Sequence, residues 1–311
     1  MEKRKVIGIG ETILDILFKN GQPTAAVPGG SVFNGIISLG RMGVDVAFIT
    51  ETGNDRVGNI IKDFMRENGV CTDFVSSFPD GKSPVSLAFL NEHNDADYLF
   101  YKDYPNQRLD VAFPDIREDD IVMFGSYFAL NPVLRSKVTE FLDYARERKA
   151  ILYYDPNFRD THRGEALKLA PTLIENLEYA DIVRGAEQDF ANMYGGLTDP
   201  DAIYRQKIQF YCPYFLLTAG NKGVSLRTPA LSKQYEVKQL EAISTIGAGD
   251  NFNAGIVYAL LKEGIGRRHL NTLGERDWDA LVKSGIDFAA DVCMSLENSV
   301  SKAFADQQKC R

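Results

Sequence analysis

The sequence predicts an α/β fold, a doubly wound and mainly parallel sheet flanked by helices, with a small β-sheet appendage inserted in it. Three observations carry this. Short β-branched runs alternate with segments of helical period along most of the chain. Residues 84–101 break that alternation with two strand-like runs around a polar turn. The length of 311 residues, 44% of them hydrophobic, suits one large domain with an appendage.

Residues 6–9 are the first strand. Residues 34–42 read as a helix that stops at Gly43, and 44–49 as the next strand. From Val57 the apolar residues fall at Ile60, Ile61, Phe64 and Met65, the stripe of an amphipathic helix, and Asn68-Gly69 ends it. Strands at 121–124, 151–154, 181–183 and 215–218 alternate with helices at 132–148 and 165–176. Such a series gives a parallel sheet covered on both faces. The appendage takes 84–90, which alternates in period two, and the aromatic run 98–101, joined by NEHNDAD. Residues 12–27 lack helical period and are assigned to it. The core is then 1–11, 28–83 and 107–311, and the appendage 12–27 and 84–106. No repeat, linker or low-complexity tract divides the chain further.

A net charge of −8, from 35 basic and 43 acidic residues, does not suggest a nucleic-acid partner. Arg267-Arg268-His269 is a short solvated cluster. No apolar run approaches the roughly 18 residues of a membrane span, and the start MEKRKVIGIG lacks the pattern of a signal peptide. Cys71, Cys212, Cys293 and Cys310 lack metal-ligand spacing and read as reduced thiols. His93, His162 and His269 form no triad or metal pattern and read as surface residues. A cytoplasmic protein is expected.

Five stretches carry chemistry. In ISTIGAGDNFNAGIVYALL the small or apolar residues Phe252, Gly255, Ile256, Ala259 and Leu260 share one helical face, so Gly249-Asp250 stands at a helix start. Glycines there let unpaired amides converge on an anion. The alternative is a plain turn with Asp250 as its cap. PGGSVFNGIISLGRMG is a second Gly-Gly turn into a helix, with Asn34 on the first turn, or a simple connection. YYDPNFRD sets Asp155, Asn157 and Arg159 beyond a strand end, where parallel sheets gather ligands, unless it is a Pro turn with a local ion pair. Asp15 follows the first strand by six residues and would accept hydrogen bonds from a polyol, or is a surface loop charge. In LLTAGNKGVSL, Thr218, Gly220 and Gly223 border a nucleotide or form an ordinary β-turn.

In this order and spacing, GIGETILD, PGGSVFN, TGNDRVG, FGS, DPNFR, TAGNKG and GAGDNFNAG resemble the ribokinase-like (PfkB) family of carbohydrate and nucleoside kinases, over nearly the whole chain. GETILD and DPNFR are more similar to its fructokinase branch than to ribokinase. The resemblance implies an α/β domain with a β lid over the sugar, and phosphoryl transfer from MgATP to a sugar hydroxyl. It makes Asp250 the catalytic base and Gly247, Ala248 and Gly249 the anion hole. Asp15, Gly29, Gly30, Asn34 and Arg159 would face the sugar. Thr218, Gly220, Gly223 and Asn298 would border ATP, and Asp189 would serve Mg²⁺ indirectly.

Three positions depart from the family. Ser244 stands where aspartate is usual, which makes a monovalent cation doubtful. The family's NxxE motif appears as Ala186 and Asp189, with Glu187 near enough to substitute. Fructose is the expected acceptor. Ribose, 2-keto-3-deoxygluconate, a nucleoside and a phosphosugar stay open, and Lys102 and Arg108 are the cations a phosphosugar would use if they are not simply solvated. A catalytically silent sugar-binding protein is the reading from another class. Ala186 and Ser244 motivate it, and the retention of Gly247, Gly249 and Asp250 argues against it. The appendage hairpin has apolar residues on both faces, Val85, Leu87 and Phe89 against Ala88 and Leu90. One face would cover sugar and the other would pair with a second subunit in a homodimer.

Overall fold

Successive residues of the buried strands enter two different cores. Val6, Met123, Tyr153 and Leu216 point to one, with Phe33, Ile36, Phe252 and Trp278. Ile7, Val122, Tyr154 and Phe215 point to the other, with Phe141, Phe190 and Ile208. A sheet buried on both faces needs apolar residues at every position, which is why these strands read as continuous runs.

The computed structural model describes residues 3–92, 96–103 and 108–309. The strands are β1 (Lys5–Ile9), β2 (Ile13–Lys19), β3 (Gln22–Gly29), β4 (Asp45–Gly53), β5 (Val70–Cys71), β6 (Val75–Phe78), β7 (Lys82–Leu90), β8 (Ala96–Asp103), β9 (Ile121–Gly125), β10 (Ile151–Asp155), β11 (Ile182–Ala186), β12 (Tyr214–Thr218), β13 (Val224–Arg227) and β14 (Ser232–Tyr235). The helices are α1 (Ser31–Arg41), α2 (Arg56–Glu67), α3 (Arg135–Glu147), α4 (Ala166–Tyr179), α5 (Glu187–Met193), α6 (Pro200–Ile203), α7 (Ala248–Lys262), α8 (Glu275–Val292) and α9 (Lys302–Lys309).

The large sheet runs β14-β13-β12-β11-β10-β9-β1-β4-β5, with β6 on β4. Its pairs are parallel except at β12–β13 and β13–β14. The chain leaves β1 towards β4 on one side and resumes at β9 on the other. The gap between β1 and β9 is therefore the topological switch point, where the carboxyl ends of parallel strands open a crevice. Helices α1 and α7 pack against each other on one face of this sheet, and α8 packs on α7.

The second sheet has the order β3-β2-β7-β8. Its central pair is parallel, with Asp15 opposite Ser86 and Leu17 opposite Ala88. Strands β3 and β7 run two residues beyond the boundaries drawn from sequence, because Ile13 pairs with Gly29 and Gly53 bonds Ser83. Asp15 lies in β2 and is buried, not in a surface loop. Ser86 and Ala88 are buried on the inner face, while Phe89 (38% exposed), Leu99 (51%) and Tyr101 (60%) lie open.

His162 is not a free surface residue. It is partly covered and stacks on Tyr127 at 4.0 Å, and burial lowers its pKa. His269 accepts from Gly266 N. Cys71, Cys212 and Cys293 are free thiols. His93 and Cys310 lie outside the described residues. Among the described residues no helix is long and apolar enough to cross a membrane.

Candidate active site

The turn before α7 places Gly247 in the left-handed region, φ 78°. A Cβ there would lie 2.9 Å from Asn298 O, so both conformation and space require glycine. The first intrahelical bond of α7 runs from Asn251 N to Gly247 O at 2.9 Å. The amides of Gly249 and Asp250 precede it, at the positive end of the helix dipole. Ala248 N is engaged by Thr245 O at 3.3 Å. Ser244 is buried, and its hydroxyl accepts from Ile246 N at 3.2 Å.

Asp250 is buried in the first turn of α7. Asn34, on the first turn of α1, donates Nδ2 to Asp250 Oδ2 at 2.8 Å. Burial pushes the Asp250 carboxyl up to about 6, against the pull of Arg159 and the Asn34 bond. Asp15 is likewise pushed up to about 6 by burial, although Ser86 donates to its Oδ1. Gly29 is where these groups meet. A Cβ on it would lie 2.7 Å from Asp15 Oδ2, 3.2 Å from Asn298 Nδ2 and 3.7 Å from Asn34 Oδ1. A Cβ on Gly30 would strike Glu11 O at 2.3 Å. Tyr98 of β8 stands over the same space. Burial holds its hydroxyl up at about 12, with the charges of Asp15, Arg159 and Asp250 around it. Asp15, Gly29, Asn34, Asn298 and Asp250 thus converge from β2, the β3–α1 turn, α1, the segment after α8 and α7.

Asn298 was expected to border the nucleotide. Its side chain faces Gly29, and its backbone carbonyl accepts from Asn251. Gly220 (φ 55°) and Gly223 (φ 100°) shape the β12–β13 turn. Thr218, at the end of β12, is drawn into the site by another residue.

That residue is Arg184 of β11, buried with its guanidinium against the backbone of Gly249. Its Nη1 donates to Asp155 Oδ2 at 2.7 Å and its Nη2 to Thr218 Oγ1. Its Nε has no partner among the described residues. A Cβ on Gly249 would lie 2.7 Å from Nη1, so glycine lets the cation approach the helix start. Asn253 also donates to Asp155 Oδ2, at 2.6 Å, and Tyr153 OH donates to Asn253. The arrangement places open amides and a cation on one side of a buried carboxylate, and a polar, lidded space on the other. That is the layout for moving an anionic group onto a hydroxyl.

The model of the pfkB family carbohydrate kinases matches residues 5–295. The chain belongs to the PfkB family.

It is thereby a phosphotransferase acting on a sugar hydroxyl. Among relatives, it is 25% identical over 275 residues to the probable fructokinase-6, chloroplastic, of Arabidopsis thaliana, covering 84% of this chain and 71% of that one. It is 24% identical over 319 residues to the fructokinase of Rhizobium leguminosarum bv. trifolii, covering 91% and 97%. A Vibrio cholerae fructokinase double mutant, solved with fructose, ADP and potassium ion, superposes with a TM-score of 0.83 at 19% identity, over 99% of each chain.

This PfkB chain differs from its sequence expectation mainly around Arg184. Asp189, on α5, turns its Oδ2 to Ala186 N at 2.8 Å. Burial and then Asp155 push its carboxyl up to about 6. Glu187 pairs with Lys222 at 2.9 Å. Lys102 pairs with Glu11 at 2.9 Å, and the Arg108 amide donates to Glu51. Sequence reasoning missed Arg184, Asn253 and Tyr98. Arg184 had left one trace, a lone cation inside the apolar strand IVRG.

Proposed function

We propose that this carbohydrate kinase transfers the γ-phosphoryl group of ATP to a hydroxyl of free fructose, with Asp250 as the base. The observation that carries it is the buried Asp250 carboxylate, fixed by Asn34 one residue from the Gly249 amide and the Arg184 guanidinium. The fructokinase relatives support fructose over other free sugars, and the ADP-bound neighbour supports ATP as donor.

In this reading Asp15, Asn34 and Asn298 hold sugar hydroxyls around Gly29, with Gly30 keeping the turn free of a side chain. Ser86 steadies Asp15, and Arg159 faces the acceptor. As the acceptor oxygen bonds phosphorus, its proton passes to Asp250 and the bond from phosphorus to the ADP oxygen breaks. A carboxyl raised to about 6 is a stronger base than a free one and is still mostly ionised at pH 7. The amides of Gly249 and Asp250 and the Arg184 cation offset charge on the phosphoryl oxygens. Arg184 keeps one donor, Nε, without a hydrogen-bond partner among the described residues.

Among the described residues no three carboxylates, histidines or cysteines could together hold a metal. Mg²⁺ keeps several waters when bound and needs few direct protein ligands. Asp155 and Asp189 are the carboxylates that would reach it through them. Bound with the nucleotide, it spreads the negative charge of the phosphate oxygens. Thr218, Gly220 and Gly223 would border the nucleotide. The neutral Ser244 argues against a strong potassium requirement.

We also infer a homodimer through the lid, whose outer face carries Phe89, Leu99 and Tyr101, and work in the cytoplasm. The test of function is ADP release with a panel of free sugars, ribose, 2-keto-3-deoxygluconate and nucleosides included. Fructose should give the highest kcat/KM. Binding without turnover across the panel would overturn the kinase reading in favour of a sugar-binding protein.

A further inference from the structure

The first turn of α7 carries a second polar side chain, next to Asp250, that takes no part in the chemistry above. Asn251 is fully buried, as is Ser38 of α1. Asn251 Nδ2 donates to Gly247 O and to Asn298 O, both at 2.8 Å. Its Oδ1 accepts from the Ser38 hydroxyl, which in turn accepts from Val300 N at 3.0 Å. Two carbonyls on one side and a hydroxyl on the other fix which way the amide faces. Asparagine is a poor helix former, so its place here is explained by what it joins.

Each contact holds a different part of the site. Gly247 O already takes Asn251 N at 2.9 Å. The side-chain bond holds the same peptide a second time, and with it the left-handed turn that aims the Gly249 and Asp250 amides. Asn298 O belongs to the segment after α8, whose side chain reaches Gly29 in the acceptor space. Ser38 lies four residues beyond Asn34 on α1, so the two share one helix face. Asn34 bonds Asp250, and Ser38 bonds the next residue, Asn251. One amide thus ties together the anion turn, the acceptor segment and the helix that carries Asn34.

We propose that Asn251 is a positioning residue that couples the two halves of the site, so that sugar and nucleotide each bind more tightly in the presence of the other. A sugar held by Asn34 and Asn298 orders the acceptor segment and, through the Asn251 amide, the Gly247 turn. The nucleotide phosphates then meet amides that are already aimed. Ordering this unit for one ligand spares the other that cost. The coupling is reciprocal, as linkage requires. An Asn251 that only held the fold together would lower stability when removed and leave the coupling as it was.

This rests on the sugar-kinase reading, and the test separates the two. Calorimetry measures the Kd of β,γ-methylene-ATP with Mg²⁺, alone and with the acceptor sugar identified by the panel at saturation. The Kd of that sugar is measured with and without the analogue. In the wild type each ligand should tighten the other by the same factor, about fivefold or more. In Asn251→Ala each ligand alone should bind within about threefold of wild type, while the mutual factor falls below about twofold and kcat drops about 10-fold or more. Ser38→Ala leaves both Asn251 donors and removes the hydroxyl that orients them. It should lower the factor by less, and it serves alone if Asn251→Ala does not fold. Independent binding of the two ligands in the wild type overturns this proposal and leaves the kinase reading intact. So does a folded Asn251→Ala protein, or Ser38→Ala in its place, that keeps the wild-type factor. A protein that phosphorylates no sugar of the panel overturns the reading beneath it.

Discussion

Asn34 and Asp250, 216 residues apart in the chain, are joined by a 2.8 Å hydrogen bond between the first turns of two packed helices. The bond fixes the carboxylate rotamer and lowers its pKa, while burial raises it further. Both effects can be tested separately.

Asp250→Asn should reduce kcat by about 10²–10⁴-fold or more, with sugar binding by calorimetry largely kept. Its stability should move the other way. The Asp250 pKa is near 6 in the folded state, above its ordinary 3.8, so the folded state holds the proton longer. Stability is therefore lost as pH rises from about 4 to 6, and the penalty is fully present at pH 7. The variant should be more stable at pH 7 by roughly 1–3 kcal/mol and lose that gain below pH 4. Unchanged turnover would sink the base assignment.

In the wild type, kcat/KM should fall with acid below about pH 6 as Asp250 takes a proton. Asn34→Ala removes a bond that lowers the pKa, so the acid limb should move to higher pH while kcat drops about 10-fold. A limb that stays in place would mean that Asn34 holds sugar and not the base.

Ser86→Ala removes the donor to Asp15. The Asp15 pKa should rise further above 6, and sugar KM should increase several-fold, more at pH 6 than at pH 8. Steady-state kinetics at the two pH values reads this directly. Equal effects at both would place Ser86 outside sugar binding.

Arg184→Met leaves Asp155 buried without its cation. A cost of about 3–5 kcal/mol is expected in denaturant unfolding. Arg184→Lys keeps the charge but cannot span Asp155 and Thr218 together. It should recover much of the stability and little of kcat, with sugar KM nearly unchanged. Full recovery of kcat would reduce Arg184 to a structural ion.

Light scattering should give a dimer, and Leu99→Asp on the outer face of the small sheet should give a monomer. A wild-type monomer would refute the lid interface.

The large sheet was legible because a strand buried on both faces must be apolar throughout, and its helices carried a clear stripe. The start of α7 was legible for the same reason. Phe252, Ile256 and Leu260 fixed the helix face, and that located Asp250. Arg184 was not, and Asn298 was named only through the family resemblance, because their placement comes from partners far along the chain, Gly249 and Gly29. The alternative of a surface loop for Asp15 failed because β2 pairs with β7 across 71 residues, a contact no local pattern reports. Helices α8 and α9 went unread, although Trp278, Leu281, Val282, Gly285 and Phe288 form a buried face on α8.

The parallel pairing of β2 with β7 has a mechanical side. The small sheet is not one hairpin on a single stalk. It is woven from two excursions, one before α1 and one after β6, so four crossings tether it to the large sheet. Asp15, Ser86 and Tyr98 ride on this woven piece, whereas Asn34 and Asp250 ride on the helices beneath. A molecule gripped by Asp15 and Asp250 at once would act as a latch between two bodies, and its arrival and the shutting of the chamber would be a single event.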